Sequence, residues 1–92
     1  SDIPVSIKLN QNYPNPFNPS TTISFNLPTS MEISLKVYDL LGREVATLIN
    51  NEQYTAGLNN VTFDASNLAS GMYIYELTSA NLSITKKMSL IK

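Results

Sequence analysis

The middle of the chain alternates between apolar and polar residues, as expected for a strand with one buried face. From residue 31 onward the apolar positions are Ile33, Leu35 and Val37. Asp39 and Gly42 then occupy the first and fourth positions of a tight turn, which favours a type I turn with a glycine bulge. Residues 31–49 therefore predict a β-hairpin.

The same alternation predicts strands on both sides of this hairpin. Residues 21–27 and 72–78 each carry three apolar residues of one parity, namely Ile23, Phe25, Leu27, Tyr73, Tyr75 and Leu77. A further strand is predicted from Leu58 through Phe63, after a polar loop over residues 50–60. Residues 1–8 are either a linker or a first edge strand, because Ile3, Val5 and Ile7 also alternate.

The last strand is predicted over residues 82–91. Ile84, Met88 and Leu90 share one parity, but Lys86 shares it too. We expect a bulge near Lys86 and Lys87, because an extra residue would turn the charged side chain away from the core.

The connection after residue 63 predicts a short helical turn, capped by Asp64 or Ser66. Leu68 would then close one end of the core. The spacing of Leu68, Gly71 and Tyr73 resembles the tyrosine corner of immunoglobulin-like sandwiches, in which a tyrosine hydroxyl bonds back to the preceding corner.

Residues 11–20 carry prolines at positions 14, 16 and 19, which exclude a helix and remove hydrogen-bond donors. Each residue before a proline is restricted to extended geometry. We expect an ordered crossing that presses Tyr13 and Phe17 onto the core. The alternative is a ligand for proline-recognising domains, but the two large aromatic residues favour the structural interpretation.

Together these patterns give six or seven strands and no amphipathic helix, which is typical of a Greek-key β-sandwich. The length of 92 residues suits one small domain, which we place at residues 9–92. The expected fold class is all-β, with about seven strands.

Composition is globular, and the formal net charge of −1 argues against nucleic-acid binding. No apolar run is long enough for a transmembrane helix. Three of the six cations nevertheless lie in the last seven residues, at Lys86, Lys87 and Lys92. They indicate either an edge strand protected by lysines or a terminal recognition signal. Because the chain opens with Ser1, we expect a piece of a longer protein.

Residues suited to catalysis are scarce. The chain has no histidine and no cysteine, so the commonest general base and most zinc ligands are missing. The seven carboxylates are isolated in sequence, and no serine has a histidine partner. We therefore expect neither enzyme activity nor a cofactor, with a calcium site at Asp64 as a minor alternative.

Four stretches resemble, in order, the motifs of type A C-terminal sorting domains of the type IX secretion system, the Por secretion tail family. They are residues 11–23, 37–45, 69–73 and 86–92. The matching residues to which we assign structural roles are Asn15, Pro16, Asp39, Gly42, Arg43, Gly71 and Tyr73. The fourth stretch matches the family's closing motif, and we take it as the sorting signal: Lys86, Lys87, Met88, Ser89, Leu90, Ile91 and Lys92.

The resemblance implies a non-catalytic domain at the C-terminus of a secreted protein from a Bacteroidetes-type bacterium. The attached cargo would enter the periplasm and cross the outer membrane through the type IX translocon. A sortase-like protease would then remove the domain, and the cargo would be released or attached to the cell surface. The resemblance also implies an immunoglobulin-like sandwich.

Two other functions remain open from the sequence alone. An immunoglobulin-like module of the hook-capping kind would assemble a filament and would not require terminal lysines. A carbohydrate-binding or adhesion module of a surface enzyme would require exposed aromatic side chains.

Overall fold

A computed structural model describes residues 6–80 and 82–92 of the chain. This part contains seven strands and no helix. The strands are β1 (Lys8–Leu9), β2 (Ser20–Leu27), β3 (Met31–Asp39), β4 (Glu44–Tyr54), β5 (Gly57–Asp64), β6 (Gly71–Thr78) and β7 (Ser83–Leu90). The alternation noted at Ile3 and Val5 lies outside the described residues.

The strands form two antiparallel sheets that face each other. One sheet has the order β1-β2-β5, and the other has the order β4-β3-β6-β7. The chain passes between the sheets after β2, β4 and β5, whereas β3–β4 and β6–β7 are hairpins within one sheet. The predicted immunoglobulin-like Greek-key sandwich is therefore confirmed.

The inner faces of the two sheets supply one continuous core. Its buried apolar residues are Leu9, Phe17, Ile23, Phe25, Leu27, Ile33, Leu35, Val37, Ile49, Phe63, Ala65, Tyr73, Tyr75, Leu77, Met88 and Leu90. Complete burial of each large apolar side chain stabilises the folded state by about 1.5–3 kcal/mol. The alternation in sequence therefore fixes which face of each strand points inward. Tyr54 covers one margin, with its ring 5.8 Å from that of Phe25.

The central hairpin closes as predicted. The Gly42 N–H donates to the Asp39 carbonyl at 3.1 Å, and the Asp39 N–H donates to the Arg43 carbonyl at 2.9 Å. Gly42 has a φ of 85°, in the left-handed region that favours glycine. The Asp39 carboxylate accepts hydrogen bonds from the Leu41 and Arg43 N–H groups, which holds the turn together.

The polar loop predicted over residues 50–60 is wrong. β4 extends to Tyr54 and β5 begins at Gly57. β4 shifts register against β3 at three points, and Asn51 adopts a φ of 51°. A bulged strand lacks strict alternation, so its polar residues resemble a loop in the sequence.

The connection between β5 and β6 is a single turn rather than a helical segment. The Leu68 N–H donates to the Ala65 carbonyl at 3.0 Å, and Asp64 accepts a hydrogen bond from the Ser66 N–H at 3.0 Å. Leu68 packs against the core, as predicted.

Candidate functional site

The segment 86–92 lies on β7 and just beyond its end. β7 is an edge strand of the four-stranded sheet and pairs with β6 without a register shift. The bulge predicted near Lys86 and Lys87 is therefore wrong. Lys86 keeps the parity of Met88 and lies opposite Tyr75, yet it is only half-buried. A lysine at the margin of a core buries its methylenes while its ammonium group reaches water, so no bulge is needed.

Two kinds of residue alternate along this segment. Met88 and Leu90 are fully buried in the core. The exposed or half-buried members are Lys86, Lys87, Ser89, Ile91 and Lys92. The two buried side chains hold the segment on the sandwich, while three cations and one large apolar side chain remain accessible.

Residues 11–20, the proline-containing segment, cover the outer edge of β7. Phe17 forms a parallel bridge beside Leu90. Its N–H donates to the Ser89 carbonyl and its carbonyl accepts from the Ile91 N–H, both at 3.0 Å. Phe17 is 2% exposed, so its side chain fixes the covering segment onto the core.

Two side chains of the proline-containing segment form hydrogen bonds with neighbouring backbone groups on this edge of β7. Asn15 Oδ1 accepts a hydrogen bond from the Ser89 N–H at 3.0 Å. Gln11 Nε2 donates to the Lys87 carbonyl at 2.8 Å. Pro16 follows Asn15 and has no N–H to satisfy at this position. The edge of β7 is thus occupied from the Lys87 carbonyl to the Ile91 N–H.

A buried network of hydrogen bonds fixes the inner side of the proline-containing segment to the sandwich. The Asn12 N–H donates to the Tyr75 hydroxyl, which itself donates to the Asn10 carbonyl, both at 2.8 Å. Asn12 Nδ2 donates to Thr21 Oγ1 at 3.0 Å and to the Pro14 carbonyl at 3.2 Å. Throughout the described residues, every buried side-chain nitrogen and oxygen has a hydrogen-bond partner.

The prediction that Tyr13 packs onto the core is wrong, whereas the one for Phe17 is confirmed. Tyr13 pairs with Thr22, a residue on the outer face of β2, and its side chain is 80% exposed. Asn12 takes the inward position instead, and its side-chain amide donates to Thr21 Oγ1 and to the Pro14 carbonyl.

The end of the chain is tied to the turn before β6. The Lys92 N–H donates to Ser70 Oγ at 3.0 Å, and Lys92 Nζ donates to the Ser66 carbonyl at 2.6 Å. Within the same turn, the Tyr73 hydroxyl donates to the Ala69 carbonyl at 2.6 Å, which confirms the predicted tyrosine corner.

Hydrogen bonds and burial shift the pKa values of three side chains, Asp39, Asp64 and Tyr75. The hydrogen bond from the Arg43 N–H, helped by the Arg43 side chain, lowers the pKa of Asp39. Hydrogen bonds from the hydroxyl and N–H of Ser66 lower the pKa of Asp64. Burial raises the pKa of the Tyr75 hydroxyl to about 12. Both carboxylates therefore stay ionised, and Tyr75 stays neutral, at physiological pH.

The structure gathers the sequence-predicted residues around one end of the four-stranded sheet. Asp39 pairs with Tyr73, and Gly71 pairs with Leu90, so the hairpin turn, the tyrosine corner and the chain end are neighbours. Asn15 and Pro16 lie against the outer edge of β7 instead.

Sequence reasoning assigned no individual role to Gln11, Asn12 and Ser70, and it considered Ser66 only as a cap rather than as a partner of Lys92. The available signal was weak, since each is a small or polar residue whose partner lies far away in the chain.

Other site chemistry is sparse in the part of the chain that the structure describes. No group of three or more histidine, cysteine or carboxylate residues could hold a metal ion there. Asp64, considered as a calcium ligand, accepts hydrogen bonds from Ser66. Residues 6–80 and 82–92 also contain no helix able to cross a membrane.

Comparisons with known proteins agree with this geometry. A search of curated proteins found no match to the chain. Among solved structures, the crystal structure of CopC from Methylosinus trichosporium OB3b matches with a TM-score of 0.52 and 18% identity, covering 92% of this chain and 91% of CopC. This likeness supports the β-sandwich fold alone.

The family model of secretion system C-terminal sorting domains matches residues 11–92, which is nearly the whole described structure. The match begins at Gln11, the first residue of the segment that covers β7, and includes Lys92. The chain belongs to this family of type IX C-terminal sorting domains.

Proposed function

We propose that this domain directs a cargo on the same chain through the periplasm and across the outer membrane by the type IX system. A sortase-like protease then removes the domain, and the cargo is released or attached to the cell surface. The observation that carries the proposal is the family match over residues 11–92, which includes the ordered basic segment 86–92. The domain itself acts by binding, without catalysis.

In this proposal the translocon recognises residues 86–92 in the folded state. Met88 and Leu90 hold the segment on the core, and Lys87, Ile91 and Lys92 present charge and apolar surface to the receptor. Addition of a receptor strand along the far part of β7 would compete with Phe17 and Asn15, which already occupy that edge. Recognition therefore proceeds mainly through side chains.

The other motif residues act on the fold rather than on the receptor. Asp39, Gly42 and Arg43 close the hairpin, and Tyr73 closes the corner that follows β5. Asn15 bonds to the β7 edge and points its amide oxygen at Ser89 rather than at solvent.

The test is export of a fluorescent reporter that carries a signal peptide and this domain, in a bacterium with a type IX system. The complete domain should place the reporter outside the cell, and a reporter without the domain should stay in the periplasm. Export without the domain would refute the proposed function.

Deletion of residues 86–92 is a poor test of the signal, because it also removes Met88 and Leu90 from the core. The sharper variant is Lys87→Gln with Lys92→Gln, which keeps both buried residues. Lys8→Gln, at an exposed lysine of β1, is the matched control. We expect reduced export for the double variant alone; equal export of all three proteins would exclude a role for the terminal charge.

A second candidate function is carbohydrate binding, which the exposure of Tyr13 favours. Tyr13 lies on an outer face formed by neutral residues, since Thr22 pairs with both Tyr13 and Thr62. An aromatic ring among hydroxyl groups suits a sugar ring, which has both apolar and hydroxyl faces. Glycan-array binding that Tyr13→Ala abolishes would support this function, and an array without binding would reject it.

A further inference from the structure

The exposed large apolar side chains of the domain are concentrated at one end of the four-stranded sheet. Among the described residues such side chains are Tyr13, Leu40, Leu41, Leu58, Met72, Leu82 and Ile91. Four of these seven are Leu40, Leu41, Met72 and Ile91, which we call the hairpin-end surface. The other three are on other parts of the molecule, so the concentration is not a general property of its surface.

Strand register brings the hairpin turn beside the start of β6. Asp39, the last residue of β3, pairs with Tyr73. Leu40 and Leu41 follow Asp39 directly, so the turn lies next to Met72. Leu41 is 78% exposed, and the adjacent Leu40 is 60% exposed.

The end of β7 completes this surface. Met72 pairs with Ser89, and one residue further the pairing ends at Leu90, so Ile91 lies at the same end of the sheet. Met72 and Ile91 each adjoin a buried residue, Tyr73 and Leu90 respectively. Alternation along a strand therefore turns both side chains away from the core.

Two cations, Lys87 and Lys92, border the hairpin-end surface. Lys87 lies on the same outer face, since it pairs with Ile74 two residues from Met72. Lys92 follows Ile91. The salt bridges found in residues 6–80 and 82–92 join Lys36 to Glu44 and Arg43 to Asp39. Neither salt bridge includes Lys87 or Lys92. Lys92 Nζ donates to the Ser66 carbonyl, and its charge helps to lower the pKa of Asp64. Lys87 is therefore the cation of this border that has no carboxylate within salt-bridge distance in the described part of the chain.

We propose that the hairpin-end surface is a docking site for a protein of the export machinery that offers an apolar patch bordered by carboxylates. Contiguous exposed apolar groups on a folded domain mark interaction surfaces, and cations at the rim attract an acidic partner. This inference rests on the proposed function and adds the hairpin to the segment that the receptor contacts.

The charges argue against a second copy of this domain as the occupant. A twofold contact places the same surface on both sides of the interface. Lys87 of one copy would then approach the same cation of the other, which is unfavourable.

The test uses the reporter fusion and replaces exposed apolar residues inside and outside the surface. The first variant is Leu40→Ser with Leu41→Ser, and the second is Met72→Thr with Ile91→Thr. Leu58→Ser and Leu82→Ser are matched controls, because these leucines are also exposed but lie elsewhere. We expect export to fall at least about tenfold for both surface variants, equivalent to about 1.4 kcal/mol of lost binding, and to stay unchanged for the controls.

Each other outcome has a defined meaning. Thermal unfolding of the purified domains identifies any variant that fails to fold, and the remaining surface variant then decides. Full export of a folded surface variant overturns the docking site while leaving the proposed function intact, provided that removal of the whole domain still blocks export. Binding of the wild-type domain to anionic phospholipid vesicles, lost in Leu40→Ser with Leu41→Ser, would instead assign the surface to lipid and overturn a protein partner.

Discussion

At the scale of single residues, Tyr75 connects β6 to the N-terminal part of the described chain. Its side chain is fully buried, and its hydroxyl contacts both the Asn10 carbonyl and the Asn12 N–H. These backbone groups belong to the start of the segment that covers β7. One phenol group therefore positions the cover over the candidate sorting signal.

Tyr75→Phe should lower the free energy of unfolding by about 2 kcal/mol, because it leaves the Asn12 N–H without its buried partner. Guanidinium denaturation of the isolated domain measures this. Tyr13→Phe is the control, since its exposed hydroxyl should contribute almost nothing. Equal stability of all three proteins would contradict the assigned hydrogen bonds.

The same residue predicts a loss of stability at alkaline pH. The pKa of Tyr75 is about 12 in the folded protein, against 10.0 for a free tyrosine, so the folded state retains its proton over this interval. Stability is complete below pH 10 and falls by about 1.4 kcal/mol per pH unit as the unfolded state ionises. The difference in unfolding free energy between wild type and Tyr75→Phe, measured from pH 9 upward, should shrink accordingly. A constant difference would contradict the prediction.

Sequence reasoning succeeded at this scale where the chemistry is local. The turn from Asp39 to Gly42 and the corner closed by Tyr73 each depend on residues a few positions apart. It failed for Tyr13, because nothing in the sequence fixes the parity of a segment that pairs at isolated points only. Asn12 escaped notice because its partner, Tyr75, is 63 residues away.

At the scale of elements, β7 has an edge that is closed at one end and open at the other. The Ser89 and Ile91 N–H groups donate to the proline-containing segment. Continuous register places the Thr85 and Lys87 N–H groups on the same outer edge, where no acceptor was found among the described residues. The open part of this edge therefore leaves two backbone donors available to solvent.

Hydrogen exchange should resolve the two halves of this edge. The Ser89 and Ile91 amides should exchange slowly, and the Thr85 and Lys87 amides should exchange at least about tenfold faster, because only the former have acceptors. Asn15→Ala should accelerate Ser89 selectively. Asn18→Ala, at an exposed asparagine, is the control. Uniform exchange along β7 would contradict the assigned cover.

Strand prediction depended on how regular each strand is. β2 and β6 pair in continuous register, and their alternating residues gave their positions almost to the residue. β4 carries three register shifts, so its apolar residues lose the period of two and its second half resembled a loop. At Lys86 the sequence predicted a bulge that is not present. A lysine fits the inward parity there because its side chain lies at the open margin of the sandwich.

At the scale of the whole molecule, the candidate site is assembled from both ends of the chain. Phe17 and Leu90 form a bridge although 73 residues separate them. The sorting segment also contributes two side chains to the core, so recognition and folding share the same residues. The sequence motifs gave the identity of the segment, but its cover depends on long-range contacts that no local pattern encodes.

A domain truncated after residue 85 should therefore lose its cooperative unfolding transition. The truncation removes the buried side chains of Met88 and Leu90. Replacing even one large buried side chain by a small one lowers the free energy of unfolding by about 2–5 kcal/mol. That loss is comparable to the total stability of a small domain. Differential scanning calorimetry measures the transition, with Lys87→Gln and Lys92→Gln together as the control that should keep it.

The parallel bridge between Phe17 and Leu90 also sets a time order for biosynthesis. A chain that leaves the ribosome from its N-terminus can complete this sandwich only after residue 90 has been made, because Phe17 lacks its bridge partner Leu90 until then. Any folded partner domain upstream has finished earlier. A protein terminated before Leu90 would thus lack the strand that closes the sandwich, and under the proposed function it would carry no complete sorting domain.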